Sequence, residues 1–474
     1  MANYYDELLK LCGFEDDEIK KEKPRIDKAF RKLELGPEDM KRAERWVRQN
    51  HDMELLGVRK LLRAWLLELI DLVLAKDEGK KIVYYGFPSI QGPGMAIKAA
   101  SESAGVNIYC ACPDVILCHT LGQIFNKLTP VLEAGEANGL PPGHGLCTLQ
   151  TIRNGGMTLG IIPVPDLVTG SSYFCDMGSK ADELLHERYR HRAIYVDGSM
   201  DSRWGEYPDY LPQRVEFLGA QLNKLFATVK EVLGIEVTHD AWDKAMATSR
   251  ELFSAVGRLT RLMAADPMPV SGVEVGLALE LSAGSTGRAM VEGPEAVSIL
   301  CQEVERRVEK GIGVVEKGAP RVLNFIQPFS DPSITHMMEN AGLAMSASLI
   351  SVPPPKAPQQ TTYTTTLGEI RAEREMSIGI YHSSFGIAKR CEEAVKDLNL
   401  DGVIWGYLYN CRPLAETSHT LKKWVEENTG VPVLSLEMDI YDSRNYSAAA
   451  LRTRVEAFAE MLRARKASSK VGRR

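Results

Sequence analysis

From residue 79 onward the chain alternates short apolar runs with amphipathic segments, and this alternation limits the fold more than any other feature. Residues 82–85, 106–111, 158–162, 167–170 and 193–196 read as strands, with helices over 94–104 and 178–188. These runs have no polar face. Strands apolar on both faces are covered on both sides, the condition of a parallel sheet crossed by helices. The pattern breaks over 209–315, where helices over 215–233, 241–264 and 294–310 are expected and no strand is evident. It resumes with strands at 321–326, 349–352, 402–407 and 433–436, and helices over 334–345, 384–398, 414–427 and 448–462.

The expected fold is α/β: two Rossmann/flavodoxin-like parallel-sheet domains, an N-terminal helical segment and bridging helices. The boundaries fall at 1–78 for an N-terminal helical cap, 79–205 for the first α/β domain, 206–316 for the helical bridging region and 317–474 for the second α/β domain. In the cap, Val58, Leu61, Leu62, Trp65, Leu66, Leu69, Ile70 and Val73 recur at helical spacing and stop before Gly79. Three consecutive prolines mark 353–366 as a loop or linker. The two α/β halves look alike in plan, yet no sequence repeat joins them.

A chain of 474 residues, 44% hydrophobic and 25% charged, holds enough apolar material for more than one core. Net charge is −6, and the basic block near the end, from Arg463 to Arg474, reads as a solvated tail. Nucleic acid is not an expected partner. No run approaches the roughly 18 apolar residues of a membrane span, and residues 1–10 lack a signal-peptide pattern. A cytoplasmic protein is expected. Nine cysteines, an odd number, argue for reduced thiols rather than a disulfide framework.

No phosphate loop, nucleophile elbow or zinc helix is present, so simple kinase, hydrolase and dehydrogenase readings have no motif behind them. The cysteines say more. Cys147 opens a helix-like segment after the turn Pro141-Pro142-Gly143-His144-Gly145. Cys175 and Cys411 each follow a strand. All three therefore lie past the C-terminal ends of parallel strands, where open α/β sheets bind ligands. Thiolates there suit iron in iron–sulfur clusters; the same thiols would also serve as small buried hydrophobes. The residues alone leave both readings open. Cys110, Cys112, Cys118 and His119 invite a zinc reading, but no second pair completes the spacing, and core packing is expected. Cys12, Cys301 and Cys391 fall in helical segments and read as structural.

At the three strand-end cysteines the chain resembles the family of 2-hydroxyacyl-CoA dehydratases and ATP-dependent benzoyl-CoA reductases. The resemblance rests on Leu146-Cys147-Thr148-Leu149-Gln150, on Pro165-Asp166-Leu167-Val168-Thr169-Gly170 through Phe174-Cys175-Asp176, and on Asn410-Cys411-Arg412-Pro413. Cys147 and Cys175 lie 28 positions apart, as suits the family. The ending, Gly430-Val431-Pro432-Val433, Glu437-Met438-Asp439 and Arg452 to Phe458, resembles its C-terminal signature.

The resemblance implies that Cys147, Cys175 and Cys411 bind one [4Fe-4S] cluster between the two domains, with an iron position left open. It implies an acyl-CoA substrate, a related second subunit in a hetero- or homodimer, and an ATP-hydrolysing iron–sulfur activator that injects one low-potential electron. Dehydration of a 2-hydroxyacyl thioester is the expected reaction. A benzoyl-CoA reductase subunit and an electron-transfer or scaffold subunit without its own substrate site are the alternatives, beside a metal-free α/β binding protein. Two stretches depart from the family: Phe87-Pro88-Ser89-Ile90-Gln91-Gly92-Pro93-Gly94 lacks its Glu, and Asp197-Gly198-Ser199 replaces Asp-x-Pro. No catalytic acid or base is assigned, and His144 reads as a loop residue beside Cys147. Double-cubane relatives carry further cysteines where this chain has Gln327, His382, Ser383 and Ser384, so one cluster of about four irons is expected.

Overall fold

The computed structural model describes residues 3–86, 91–140, 147–172, 175–197, 203–284, 286–325, 330–348, 366–376, 384–409, 411–439 and 441–471. Four helices come first: α1 (Asp6–Leu11), α2 (Asp16–Lys32), α3 (Pro37–Asn50) and α4 (Leu56–Leu74). α4 is buried on nearly every side, as a helix apolar all round must be. Its indole at Trp65 donates to the Leu277 carbonyl at 3.2 Å. Its two buried acids are satisfied: Glu68 accepts from the Tyr109 hydroxyl at 2.6 Å, and Asp71 pairs with Arg25 at 2.5 Å and Arg288 at 2.9 Å. α4 is thus a core helix.

The first sheet is built from β1 (Lys81–Tyr84), α5 (Gln91–Ser103), β2 (Ile108–Ala111), α6 (Pro113–Leu117), a π-helical turn Cys118–Ile124, α7 (Thr129–Ala137), α8 (Thr148–Thr158), β3 (Leu167–Ser171), α9 (Asp176–Tyr189) and β4 (Arg192–Val196). Its order is β2-β1-β3-β4 and every pairing is parallel. Helices α10 (Pro212–Leu233), α11 (His239–Leu262), α12 (Gly272–Gly284) and α13 (Arg288–Lys310) follow.

The second sheet comprises β5 (Arg321–Phe325), α14 (Ser333–Asn340), β6 (Ala344–Ser348), α15 (Leu367–Met376), α16 (Ser384–Asp397), β7 (Gly402–Tyr407), α17 (Arg412–Thr429) and β8 (Val433–Glu437), with α18 (Ala448–Val471) last. Its order, β6-β5-β7-β8, again all parallel, repeats the plan of the first. The α/β class with two parallel sheets is therefore as expected. α15 reaches across and packs on α10, whose neighbours include β3 and β4. The approach is close enough that a Cβ on Gly368 would meet the Gly219 carbonyl oxygen at 2.3 Å.

Three expected elements are corrected. Residues 158–162 form no strand: α8 runs to Thr158 and a turn follows, with Gly160 at φ +69°. The helix expected over 334–345 ends at Asn340, and Gly342, at φ +81°, turns the chain into β6. That strand lies over Ala344–Ser348, earlier than the 349–352 expected; residues 349–352 are outside the described set. Also outside it are the first-strand loop at 87–90, His144, the turn at Gln327, most of the proline linker, residues 381–383 and Asn410. No helix among the described residues is long and apolar enough to cross a membrane.

Candidate metal centre

The three cysteines singled out from the sequence share one local role: each caps the N-terminus of a helix. Cys147 caps α8, Cys175 caps α9 and Cys411 caps α17. Cys175 comes four residues after Ser171, the end of β3, and Cys411 four residues after Tyr407, the end of β7. A helix N-terminus presents unpaired N–H groups and partial positive charge, which favour a thiolate. Here the Leu149 N–H is directed at the Cys147 sulfur and the Leu414 N–H at the Cys411 sulfur. The Cys147 N–H itself donates to Gln150 Oε1 at 3.0 Å, which closes the first turn of α8.

The three thiols feel one another. Burial pushes the Cys147 thiol well above its ordinary range, and the charges of Cys411 and Cys175 push it further. Cys411 is pushed up to about 12, first by burial and then by Cys175. Two thiols from the first sheet and one from the second thus occupy one neighbourhood. All are free of disulfides. Among the described residues, no three Cys, His, Asp or Glu side chains close on one point as a single bare ion requires. A cluster makes a different demand, because each iron takes its own thiolate and the ligands stand around the group. Metal ligation would replace mutual repulsion with attraction and deprotonate the thiols.

What holds the two halves together here is the segment after β8. The Thr148 hydroxyl, next to Cys147, donates to Asp439 Oδ2 at 2.5 Å. Asp439 also accepts from the Tyr441 N–H at 3.0 Å. Arg444 pairs with Glu136 on α7 and with Asp442 at 2.7 Å. The half-buried Tyr441 lies within electrostatic reach of Cys147 and Cys411. The sequence reading quoted Glu437-Met438-Asp439 as a signature but gave it no role; no local pattern could have placed it beside α8.

The rival cysteines are core residues. Cys110, Cys112 and Cys118 are almost fully buried, and burial raises all three thiols, Cys110 to about 12. His119 packs on Trp65 with ring centroids 4.7 Å apart and pairs with Gln123 at 3.0 Å; burial pulls it down to about 3, so it stays neutral. A buried ion triplet escaped the sequence reading: Arg153 on α8 lies 3.3 Å from Asp114 and also pairs with Asp182.

Two like parallel sheets with capping thiols beyond their strand ends place the chain among open α/β proteins, whose ligand sites lie beyond the carboxyl ends of the strands. The chain belongs to the family described as 2-hydroxyglutaryl-CoA dehydratase, D-component, whose model matches residues 117–462 and takes in all three cysteines. It is similar to the alpha subunit of (R)-2-hydroxyglutaryl-CoA dehydratase from Acidaminococcus fermentans, at 22% identity over 311 residues, 64% of this chain and 61% of that protein. It is similar to the alpha subunit of (R)-phenyllactyl-CoA dehydratase from Clostridium sporogenes, at 23% identity over 352 residues, 70% of this chain and 80% of that one. A putative dehydratase subunit of Escherichia coli is 25% identical over 250 residues, 51% of this chain and 63% of that one. The chain thus spans about three fifths of the length of the first of these relatives. All three carry dehydratase names, and none is named a benzoyl-CoA reductase.

Proposed function

We propose that this chain is the iron–sulfur subunit of an ATP-dependent radical 2-hydroxyacyl-CoA dehydratase, with one [4Fe-4S] cluster held by Cys147, Cys175 and Cys411. The observation that carries the reading is the meeting of three helix-capping thiols, from two separate sheets, within reach of one another's charge. The family match and the dehydratase names of the relatives support the same reading.

The donor set fits the group. Soft thiolates are the ligands that iron–sulfur clusters take, and the helix N-termini with the Leu149 and Leu414 N–H groups offset the negative charge that collects there. Three protein thiolates leave one of four irons for a non-protein ligand, the mark of a catalytic rather than a closed structural site. When bound, the cluster supplies the low-potential single electron that activates a thioester carbonyl. The chain's own part is to hold that centre across two halves, with Thr148 and Asp439 fixing the first turn of α8 against the segment after β8. The electron comes from an ATP-hydrolysing iron–sulfur activator, and a related second subunit completes the enzyme. The compartment is the cytoplasm, where thiols stay reduced.

The test is anaerobic isolation with its partner subunit. Iron analysis should give about four irons per chain, with thiolate-to-iron absorbance in the visible. With an ATP-driven activator, the protein should dehydrate (R)-2-hydroxyglutaryl-CoA or (R)-phenyllactyl-CoA. Protein isolated without air and without iron would sink the reading.

A further inference from the structure

Two buried acids follow β8, and only one of them has a cation. Asp442 is 2% exposed and holds Arg444, whose Nε lies 2.9 Å from Oδ1 and whose Nη2 lies 2.7 Å from Oδ2. Asp439 is 5% exposed and pairs with no Lys, Arg or His among the described residues. Its partners are neutral donors: the Thr148 hydroxyl at 2.5 Å, the Tyr441 N–H at 3.0 Å and the Asn445 amide at 3.4 Å. Donors on both oxygens are what an ionised carboxylate takes, because it can only accept. A buried carboxylate held by neutral donors keeps its charge uncancelled, which costs stability and needs a reason.

Its position supplies one. Thr148 is the first residue of α8, and Cys147 is the cap of that helix. Through the Thr148 bond, covalent geometry holds Asp439 Oδ2 within ~12 Å of the Cys147 sulfur. On the other side, the Met438 N–H donates to the Tyr407 carbonyl at 2.9 Å, at the end of β7 and four residues before Cys411. Asp439 thus stands between the helix that presents Cys147 and the strand that leads to Cys411. The carboxylate and the Cys147 sulfur share one helix N-terminus, whose partial charge of about +0.5 is less than the unit charge of the acid. The one cation nearby in the segment, Arg444, is already taken by Asp442 and by Glu136 on α7.

We infer that Asp439 is a positioning residue of the proposed cluster site, and that its fixed negative charge keeps the reduction potential of that centre low; the inference rests on the iron–sulfur reading above. The step concerned is the transfer of one electron from the ATP-hydrolysing iron–sulfur activator, with no bond made or broken. The arriving electron is one more negative charge, and a neighbouring carboxylate repels it. At ~12 Å and an effective dielectric constant of about 20, that repulsion shifts a one-electron equilibrium about tenfold against reduction. A centre that is harder to reduce is the stronger donor once reduced, which delivery of an electron to a thioester carbonyl demands. Nearby charge, burial and hydrogen bonds are the means by which a protein sets such potentials. Thr148 contributes by tying the carboxylate to α8, so that charge and ligand keep a fixed separation.

The test uses the full chain with its partner subunit, purified without air, and a mediated redox titration followed by electron paramagnetic resonance and visible absorbance. D439N keeps an oxygen for the Thr148 hydroxyl and loses the charge. It should retain about four irons per chain. Its reduction equilibrium should shift at least about threefold toward the reduced centre, a tenfold shift being about 59 mV for one electron. D439E, which keeps the charge, should stay within about twofold of wild type. If D439N does not fold, D439S, equally neutral, is read by the same criteria. An equilibrium within about twofold of wild type in the neutral variant overturns the proposal. So does loss of iron from the neutral variant, or a shift in D439E as large as that in D439N, either of which would make the residue structural. A wild-type complex isolated without iron defeats the cluster reading and this inference with it, whereas an iron-loaded complex whose potential ignores D439N defeats this inference alone.

Discussion

The first and second sheets are the same construction carrying different chemistry. Both run in the order second, first, third, fourth strand, all parallel. In each, the third strand ends four residues before a cysteine that caps the next helix: Cys175 after β3, Cys411 after β7. In each, a helix comes just before that strand, and there the halves part. α8 is capped by Cys147, whereas α16 begins at Ser384, whose hydroxyl lies 3.0 Å from that of Thr417. A neutral hydroxyl is a poor iron ligand. A repeated plan thus offers four equivalent places and fills three with thiols, two from one half and one from the other. The proposed cluster site requires both halves to be in register.

The largest expected effect tests that equivalence. Cys175→Ala and Cys411→Ala, on opposite sheets, should lose bound iron and dehydration equally, each to background, measured by anaerobic iron analysis and turnover. If Cys411→Ala kept its iron while Cys175→Ala lost it, the centre would belong to the first half alone.

This equivalence was half legible. The residues of β7 could be read directly, because Gly402–Tyr407 is apolar on both faces, and Cys411 followed visibly after it. β6 was hidden because Ala344-Met-Ser-Ala-Ser has little β propensity, and its pairing with β5 decides the matter. Residues 158–162 misled for the opposite reason: Leu159, Ile161 and Ile162 form an apolar run, yet they lie in a turn closed by Gly160. The π-helical turn and the Thr148–Asp439 bond lie beyond sequence reading, since one depends on a local hydrogen-bond shift and the other joins positions 291 apart.

The next effect in size sits in the first half, under α8. Arg153 is almost fully buried between Asp114 and Asp182. Burial pushes Asp182 up to about 7, with Arg153 pulling it down and Asp114 pushing it up. Arg153→Met leaves those carboxyls uncompensated and should cost ~3–5 kcal/mol in denaturant unfolding. The sign with pH follows from linkage. A carboxyl whose folded pKa exceeds its unfolded value, about 3.9, holds more protons folded than unfolded, so stability falls as pH rises through that gap. Without Arg153 the gap widens upward. The cost of Arg153→Met should therefore be greater at pH ~8 than at pH ~5; a cost that shrinks with rising pH would show that the triplet is not charged as drawn.

A smaller effect probes the join between the halves. Thr148→Val removes the donor to Asp439, a carboxyl raised by burial and lowered by that hydroxyl. Leaving the acid short of a partner should cost ~1–3 kcal/mol. Because the bond adjoins Cys147, iron should also dissociate faster from Thr148→Val than from wild type. Unchanged iron release would mean that the Arg444–Glu136 pair alone keeps the register.

The smallest effect is expected where the first half has cysteines to spare. Cys110 and Cys112 bracket the end of β2, an edge strand paired only with β1. Cys110 is tied to Thr286, and the Cys112 thiol lies 3.5 Å from Asp114 Oδ2. Neither has a counterpart at the end of β6, where Ser348 stands in the edge strand of the second sheet. Desolvation keeps both thiols protonated; Cys112 also caps a helix, the short α6, but the Asp114 carboxylate beside its sulfur opposes a thiolate there. Cys391, inside α16 in the second half, is likewise pushed up to about 12 by burial alone. Cys110→Ala, Cys112→Ala and Cys391→Ala should each cost only about 1 kcal/mol, as small core truncations do, and leave iron at about four per chain. The comparison with Cys175→Ala is then internal to one protein: Cys112 and Cys175 each cap a helix, and iron should be lost only where the sulfur shares a neighbourhood with the other two proposed ligands. A fall in iron in Cys112→Ala comparable to that in Cys175→Ala would break it. The ligand set would then follow the edge strand of the first sheet, and the correspondence of Cys175 with Cys411 would be a feature of packing.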